Sequence, residues 1–334
     1  MTVWQALDEG WRRALRAPAV VAGAWLTTLA VALPLGVVLY RQISEHLDAS
    51  VAAQTAVTGL NADWWNEFVA QAGGVGQTFV PAIMAAAAVV QNISHLADAE
   101  SPPLVIAIAL AVHVMVSIFL LGGILDRLAR DRRLGAYGFF AACGAHWFRL
   151  LRLAAIAALV YWALFARLHP LLFDRVYGSL THDVTVERTA FLYRVALYAV
   201  FGAILIFVNL IMDYAKIRLV VEDRLSAIGA LSAGWRFVRR HPSATLGVYL
   251  LNTLIFAIVL AAYAAVAVTP TTGIEASLAL LIGQIYIVLR VVVRLTFAGS
   301  QIALFQSQLA HAGYTARPIP AWPESAAAEA VRPD

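Results

Sequence analysis

Six stretches of this sequence are apolar enough and long enough to cross a lipid bilayer: 18–40, 103–125, 150–168, 192–212, 244–268 and 277–295. The hydrocarbon core of a bilayer is about 30 Å thick, and about 20 helical residues are needed to cross it. An unpaired backbone N–H or C=O in lipid costs several kcal/mol, so each stretch must be helical. Composition agrees. Of the 334 residues, 61% are hydrophobic and 13% charged, and the mean hydropathy is +0.76. Soluble domains carry about 25% charged residues. Too little polar surface remains for soluble domains, and the same figures exclude disorder, collagen, coiled coil and a disulfide scaffold. The expected fold is an all-α integral membrane protein with six transmembrane helices spread over 1–313.

Arginine placement orients these spans. The formal net charge is +4, and Lys216 is the one lysine among 24 basic residues. With the N-terminus inside, segments 1–16, 126–152 and 213–243 hold 15 basic residues. The opposite segments 41–102, 169–194 and 269–276 hold four, with ten acidic residues. The positive-inside rule then puts both termini on the cytoplasmic side. The first span is expected to be retained, because its apolar run is too long for a signal peptide and a basic segment precedes it. Within the insertion 41–102, segment 78–95 has too short an apolar run to span. It is expected to lie on, or dip into, the outer leaflet, with Trp64 and Trp65 in the headgroup zone. Segment 314–334, rich in Pro, Ala and Glu, reads as a disordered cytoplasmic tail.

Three segments on the basic side share a pattern: GWRRALRAP (10–18), HWFRLLRLA (146–154) and GWRFVRRHP (234–242). Each has Trp (Trp11, Trp147, Trp235) and, five residues on, Arg (Arg16, Arg152, Arg240). Apolar residues recur seven and four positions before the Trp: Trp4 and Leu7, Phe140 and Cys143, Ile228 and Leu231. That spacing marks one helix face. Such helices would lie in the interface, with Trp among headgroups and Arg on anionic phosphates. Pro18 and Pro242 would then start the next span, where a missing N–H costs little. The expected architecture is three repeats of interfacial helix plus transmembrane hairpin.

Ionisable side chains inside spans cost about 2.5–3.5 kcal/mol on insertion scales and are candidate functional groups. Arg290 and Arg294 lie one turn apart in the last span, and Asn209 and Asp213 in the fourth. All four fall toward the inner leaflet, where an Asp213–Arg290 or Asp213–Arg294 bridge is expected. They would form a polar pocket for an anionic group such as a lipid phosphate. A structural ion pair with snorkelling arginines would leave the same signature. His113 with Ser117, and Asn252 with Thr253, are expected to bond between helices.

Catalytic motifs are missing. There is no GxxxxGK[ST] loop, since the GGVG at 73–76 lacks the lysine, and no HExxH or GxSxG. The eight histidines have no ligand spacing, so no metal or cofactor is expected. Asp63 and Glu67 read as a solvated face. Cys143, alone, cannot pair within the chain and reads as a small apolar residue. No basic face interleaved with aromatics sits on a soluble domain, so nucleic acid is not an expected partner.

Segment 213–242 (DYAKIRLVVEDRLSAIGALSAGWRFVRRHP) resembles uncharacterised bacterial multi-pass proteins, and more distantly the membrane domain attached to some glycerophosphodiester phosphodiesterases. Val221, Glu222, Asp223, Ala230, Leu231 and Trp235 carry the likeness. The phosphodiesterase domain has no counterpart, and no His-Arg dipeptide occurs. The resemblance implies an inner-membrane helical bundle with lipid association, not phosphodiester hydrolysis. The expected function is non-enzymatic association with membrane lipids, anionic phospholipid among them, or with the envelope. A transporter or lipid flippase is the alternative.

Overall fold

Caps and prolines set the helix starts. The computed structural model describes residues 1–48, 50, 53, 61–79, 85–130, 135–267 and 273–311. Helix α1 (Val3–Leu15) begins at a reciprocal cap: the Gln5 amide donates to Thr2 Oγ1, and the Thr2 amide donates to Gln5 Oε1 at 2.8 Å. Pro18 then opens α2 (Pro18–Asp48). Helix α3 (Ala62–Gln71) starts on an Asn61 cap, and a 3-10 turn (Gly74–Thr78) and α4 (Ala85–Ala97) follow. Next come α5 (Leu104–Arg130), α6 (Ala136–Ala163) and α7 (Glu187–Val221). Ser226 caps α8 (Ala227–Arg240), Pro242 opens α9 (Pro242–Val266), and α10 (Gly273–His311) follows.

Helices α2, α5, α6, α7, α9 and α10 are each long and apolar enough to cross a membrane. The chain is a multi-pass helical membrane protein. Each expected span coincides with one of these helices to within a few residues at its ends, and α2, α5, α7 and α10 run on well past their apolar windows. Val268, Arg132, Arg133 and the tail 314–334 lie outside the described residues.

Two local expectations change. The second Trp/Arg segment is not a separate helix: α6 runs unbroken from the amphipathic stretch into the span. The first and third segments are broken by Pro18 and Pro242, whereas Ala154 stands at the equivalent place and leaves the backbone ladder intact. The helix continues through π-helical turns (Leu164–Leu168 and Leu171–Val176) to Thr181. These turns flank Pro170, which has no N–H to give the ladder. Trp64, expected among headgroups, is instead buried. Its Nε1 donates to His46 Nδ1 at 2.9 Å, and it stacks on Phe68 at 5.4 Å.

The spans form an inner and an outer set. Helices α5, α7 and α10 touch one another pairwise. Each of the others lies against two of these: α2 against α10 and α5, α6 against α5 and α7, α9 against α7 and α10. Burial is concentrated at the arginine-rich end. The buried residues of α5 are confined to its last turns, from Gly122 to Leu128, and those of α9 to Thr245, Val248 and Asn252. Helix α2 has none.

The amphipathic segments complete that end. Helix α1 lies on α10, the first half of α6 on α5, and α8 on α7. Every crossing uses a glycine. A Cβ on Gly10 would sit 2.2 Å from Ser300 Oγ and 2.5 Å from Ser300 N. On Gly123 it would sit 2.6 Å from Cys143 Sγ, and on Gly234 2.9 Å from Ala215 N and Ile211 O. In lipid, where apolar burial cannot drive helices together, such close backbone approach supplies the contact. The packed faces are rows of small residues, Ala6–Gly10–Ala14 and Ala230–Gly234. The Trp side of α1 and of α8 points away, with Trp4 at 69% and Ile228 at 71% exposed, whereas in α6 Cys143 is buried at the crossing and Trp147 rests against Phe119.

One junction ties the first helix to the last. Arg13 Nη1 donates to Leu128 O (3.0 Å) and Gln306 Oε1 (2.9 Å), and Gln306 Nε2 donates to Ala129 O (2.9 Å). The carbonyls so satisfied belong to the last turn of α5, which has no partners within its own helix.

Candidate functional site: an arginine-edged crevice

The four residues of the expected polar pocket do not form the expected ion bridge. Asp213 makes no ion pair with Arg290 or Arg294. Its Oδ1 pairs with Lys216 Nζ at 2.6 Å, and its Oδ2 accepts from Gln301 Nε2 at 2.7 Å. Lys216 is less than one turn away on the same helix, and Gln301 is buried on α10, so both reach the carboxylate ahead of the arginines. Asn209 Oδ1 is taken by the Tyr161 hydroxyl. Arg290 and Arg294 keep their place on α10 and make no ion pair among the described residues.

The smaller polar groups also bond locally. Ser117 Oγ lies 3.4 Å from His113 Nε2 on the same helix, Asn252 Nδ2 donates to Val248 O (2.8 Å), and Thr253 Oγ1 to Tyr249 O (2.9 Å). A helix offers its own i−4 carbonyl to such side chains before any neighbour can. The Trp and Arg residues of the repeated pattern differ in exposure. Arg16, Arg152 and Arg240 are exposed, Trp11 and Trp235 largely so, and Trp147 half-buried. Trp147 meets Phe119 edge-on at 5.6 Å, and Trp235 meets Phe207 at 5.4 Å.

A crevice of about 670 Å³ lies between α2, α5 and the first turns of α6. Its walls are apolar (Gly23, Ala24, Leu120 and Phe140 among them), and Arg16 and Arg127 stand at its arginine-rich end. Arg127 is 6% exposed, and its Nη2 donates to Arg16 O at 2.9 Å. That bond holds the guanidinium at the α1–α2 junction. From Pro18 to Thr27 the crevice runs about 14 Å along α2, at about 1.5 Å per residue. Half of a hydrocarbon core is about 15 Å. An occupant one leaflet deep, apolar along its length and anionic at one end fits this shape.

No family model, curated protein or solved structure matches the chain.

Function therefore has to be read from the geometry alone. Among the described residues, no three His, Cys, Asp or Glu side chains gather as metal ligands. Sequence reasoning placed Arg16 as a headgroup anchor and Arg127 only in a basic loop. Small residues at Ala19, Gly23 and Ala24, facing Leu120 and Ile124, were the available signal for a void.

Proposed function

We propose that the protein is a non-enzymatic bacterial inner-membrane protein that holds anionic phospholipid of the cytoplasmic leaflet in the crevice between α2, α5 and α6. The observation that carries this is the pairing of an apolar cleft one leaflet deep with two arginines at its mouth. Ligand pockets commonly measure about 300–1,000 Å³ and combine apolar walls with a few placed polar groups. Arginine is suited to phosphate because its fork of donors matches the oxyanion.

The arginine-rich end is then the cytoplasmic one, with both termini on that side. Each amphipathic segment with the hairpin after it forms one of three units, closed into a ring by α1 on α10. The equivalent Trp147–Phe119 and Trp235–Phe207 contacts, made at the same spacing in sequence, support that repeat. Helix α4, 13 residues long and packed on α9, is too short to span and suits a segment dipping into the outer leaflet.

Native mass spectrometry of protein extracted in mild detergent tests the proposal. Anionic lipid should be retained over zwitterionic lipid, and lost in Arg127→Gln and in Arg16→Gln. Equal retention of both lipid types, unchanged in both variants, would sink it. A transporter or flippase is the second reading, favoured by one feature, a smaller cavity beside the crevice with Arg294 and His113 in its lining.

A further inference from the structure

A second, smaller cavity adjoins the crevice. Ala24, Thr27, Leu120 and Ile124 also line this cavity, which holds about 90 Å³ between α2, α5 and α10. By volume that is room for roughly three waters, at about 30 Å³ each, or for one compact oxyanion. Arg294, His113, Ser117, Thr27 and Thr28 supply its polar lining. The two threonine hydroxyls already donate, to Gly23 O (2.8 Å) and Ala24 O (3.0 Å). Ser117 Oγ and His113 Nε2 face each other at 3.4 Å, so that pair keeps one further donor for an occupant beside the Arg294 guanidinium.

Charge in this part of the bundle is unbalanced. Asp213 is committed to Lys216 and Gln301, while Arg290 and Arg294 stand a turn apart without an ion pair among the described residues. Two guanidinium groups on an apolar span favour a mobile counter-anion, and the cavity puts space for one beside Arg294. Ala24, Thr27, Leu120 and Ile124 are common to both linings, so the cavity lies directly beside the crevice.

We propose that Arg294, His113 and Ser117 form a second, deeper anion position that takes a phosphate-type oxyanion arriving along the crevice. The inference rests on the crevice being a lipid site, and it adds a step: the headgroup position at Arg16 and Arg127 becomes an entrance. The oxyanion is either the headgroup phosphate of a lipid or free inorganic phosphate.

Calorimetric titration of the full-length protein with short-chain phosphatidylglycerol, and separately with inorganic phosphate, tests this. Arg294→Gln should weaken binding by roughly tenfold to a hundredfold, the loss expected for a charge-assisted hydrogen bond. Arg294→Lys should restore part of it. Thr27→Phe, which fills the shared wall and leaves every cation in place, should weaken binding as well, and it carries the test if Arg294→Gln does not fold. Binding of the lipid but not of inorganic phosphate, lost in these variants, assigns the position to a headgroup. Binding of both with the same dependence assigns it to a free oxyanion. Wild-type affinity in Arg294→Gln and Thr27→Phe overturns the inner position, and a loss confined to Arg127→Gln would leave the crevice standing alone. Phosphate binding that depends on Arg294 but not on Arg127 supports the inner position and counts against the crevice.

Discussion

Replacing Gly10 by alanine isolates the contact that closes the bundle. A Cβ there would lie 2.2 Å from Ser300 Oγ, 2.5 Å from Ser300 N and 2.6 Å from Thr296 O, where ordinary contacts begin at 3.4 Å. The Ser300 side chain cannot simply turn away, since it is buried and donates to Thr296 O at 2.7 Å. Two of the three clashing atoms are backbone, so α1 must lift from α10 by roughly 1 Å. Overpacking of this kind costs about 1–3 kcal/mol, and a backbone clash belongs at the upper end. Alanine returns about 1 kcal/mol in helix propensity. The net loss is about 2 kcal/mol. Gly144 is the control: it lies in α6 with nothing within 4 Å, so Gly144→Ala should gain about 0.5–1 kcal/mol. Unfolding in mixed micelles of dodecyl maltoside and SDS, followed by tryptophan fluorescence, reads both, and Trp11 sits beside the crossing. If Gly10→Ala proves as stable as the parent, or Gly144→Ala loses as much, close backbone packing is not what holds α1 in place.

The junction of α1, α5 and α10 makes a second expectation. Arg13 is 12% exposed and bonds Leu128 O and Gln306 Oε1 while pairing with Glu9 at 2.8 Å. Arg13→Lys should lose about 1.5–3 kcal/mol in the same assay, because one ammonium cannot reproduce the fork; full stability in the lysine variant would refute that geometry. On the acidic side, the Tyr198 hydroxyl donates to Asp98 at 2.5 Å and, with Arg194 at 3.3 Å, holds the Asp98 carboxyl below its ordinary value of 3.8. A depressed carboxyl stabilises the fold above the unfolded value, and the contribution is lost as pH falls through the folded one. The stabilisation should therefore fade only below about pH 4, and Tyr198→Phe should move the Asp98 titration upward in carboxyl NMR. An unmoved titration would show that the hydroxyl does not set it.

The six spans, the basic end and the three Trp/Arg segments were legible in the sequence. Each depends on a local quantity: the length of an apolar run, the sign of charge beside it, or the spacing of residues on one helix. Lipid imposes these rules on a chain directly, because it leaves the backbone no choice but helix and sorts arginine to one side. The break before α2 and α9 was equally local, since Pro18 and Pro242 act on their own backbone, and its absence in α6 follows from Ala154. Which helix meets which was decided only by the tertiary structure. Hydrophobic periodicity cannot name a partner when lipid is as apolar as any helix face, so selection passed to rows of small residues and to fits between backbones. Gly10 found Ser300 across almost the whole chain. Asp213 was drawn to Lys216 and Gln301 instead of Arg290 and Arg294, because distance, not charge alone, chooses an ion pair. The crevice at Arg127 is a void between three helices, and a void belongs to no single stretch of sequence.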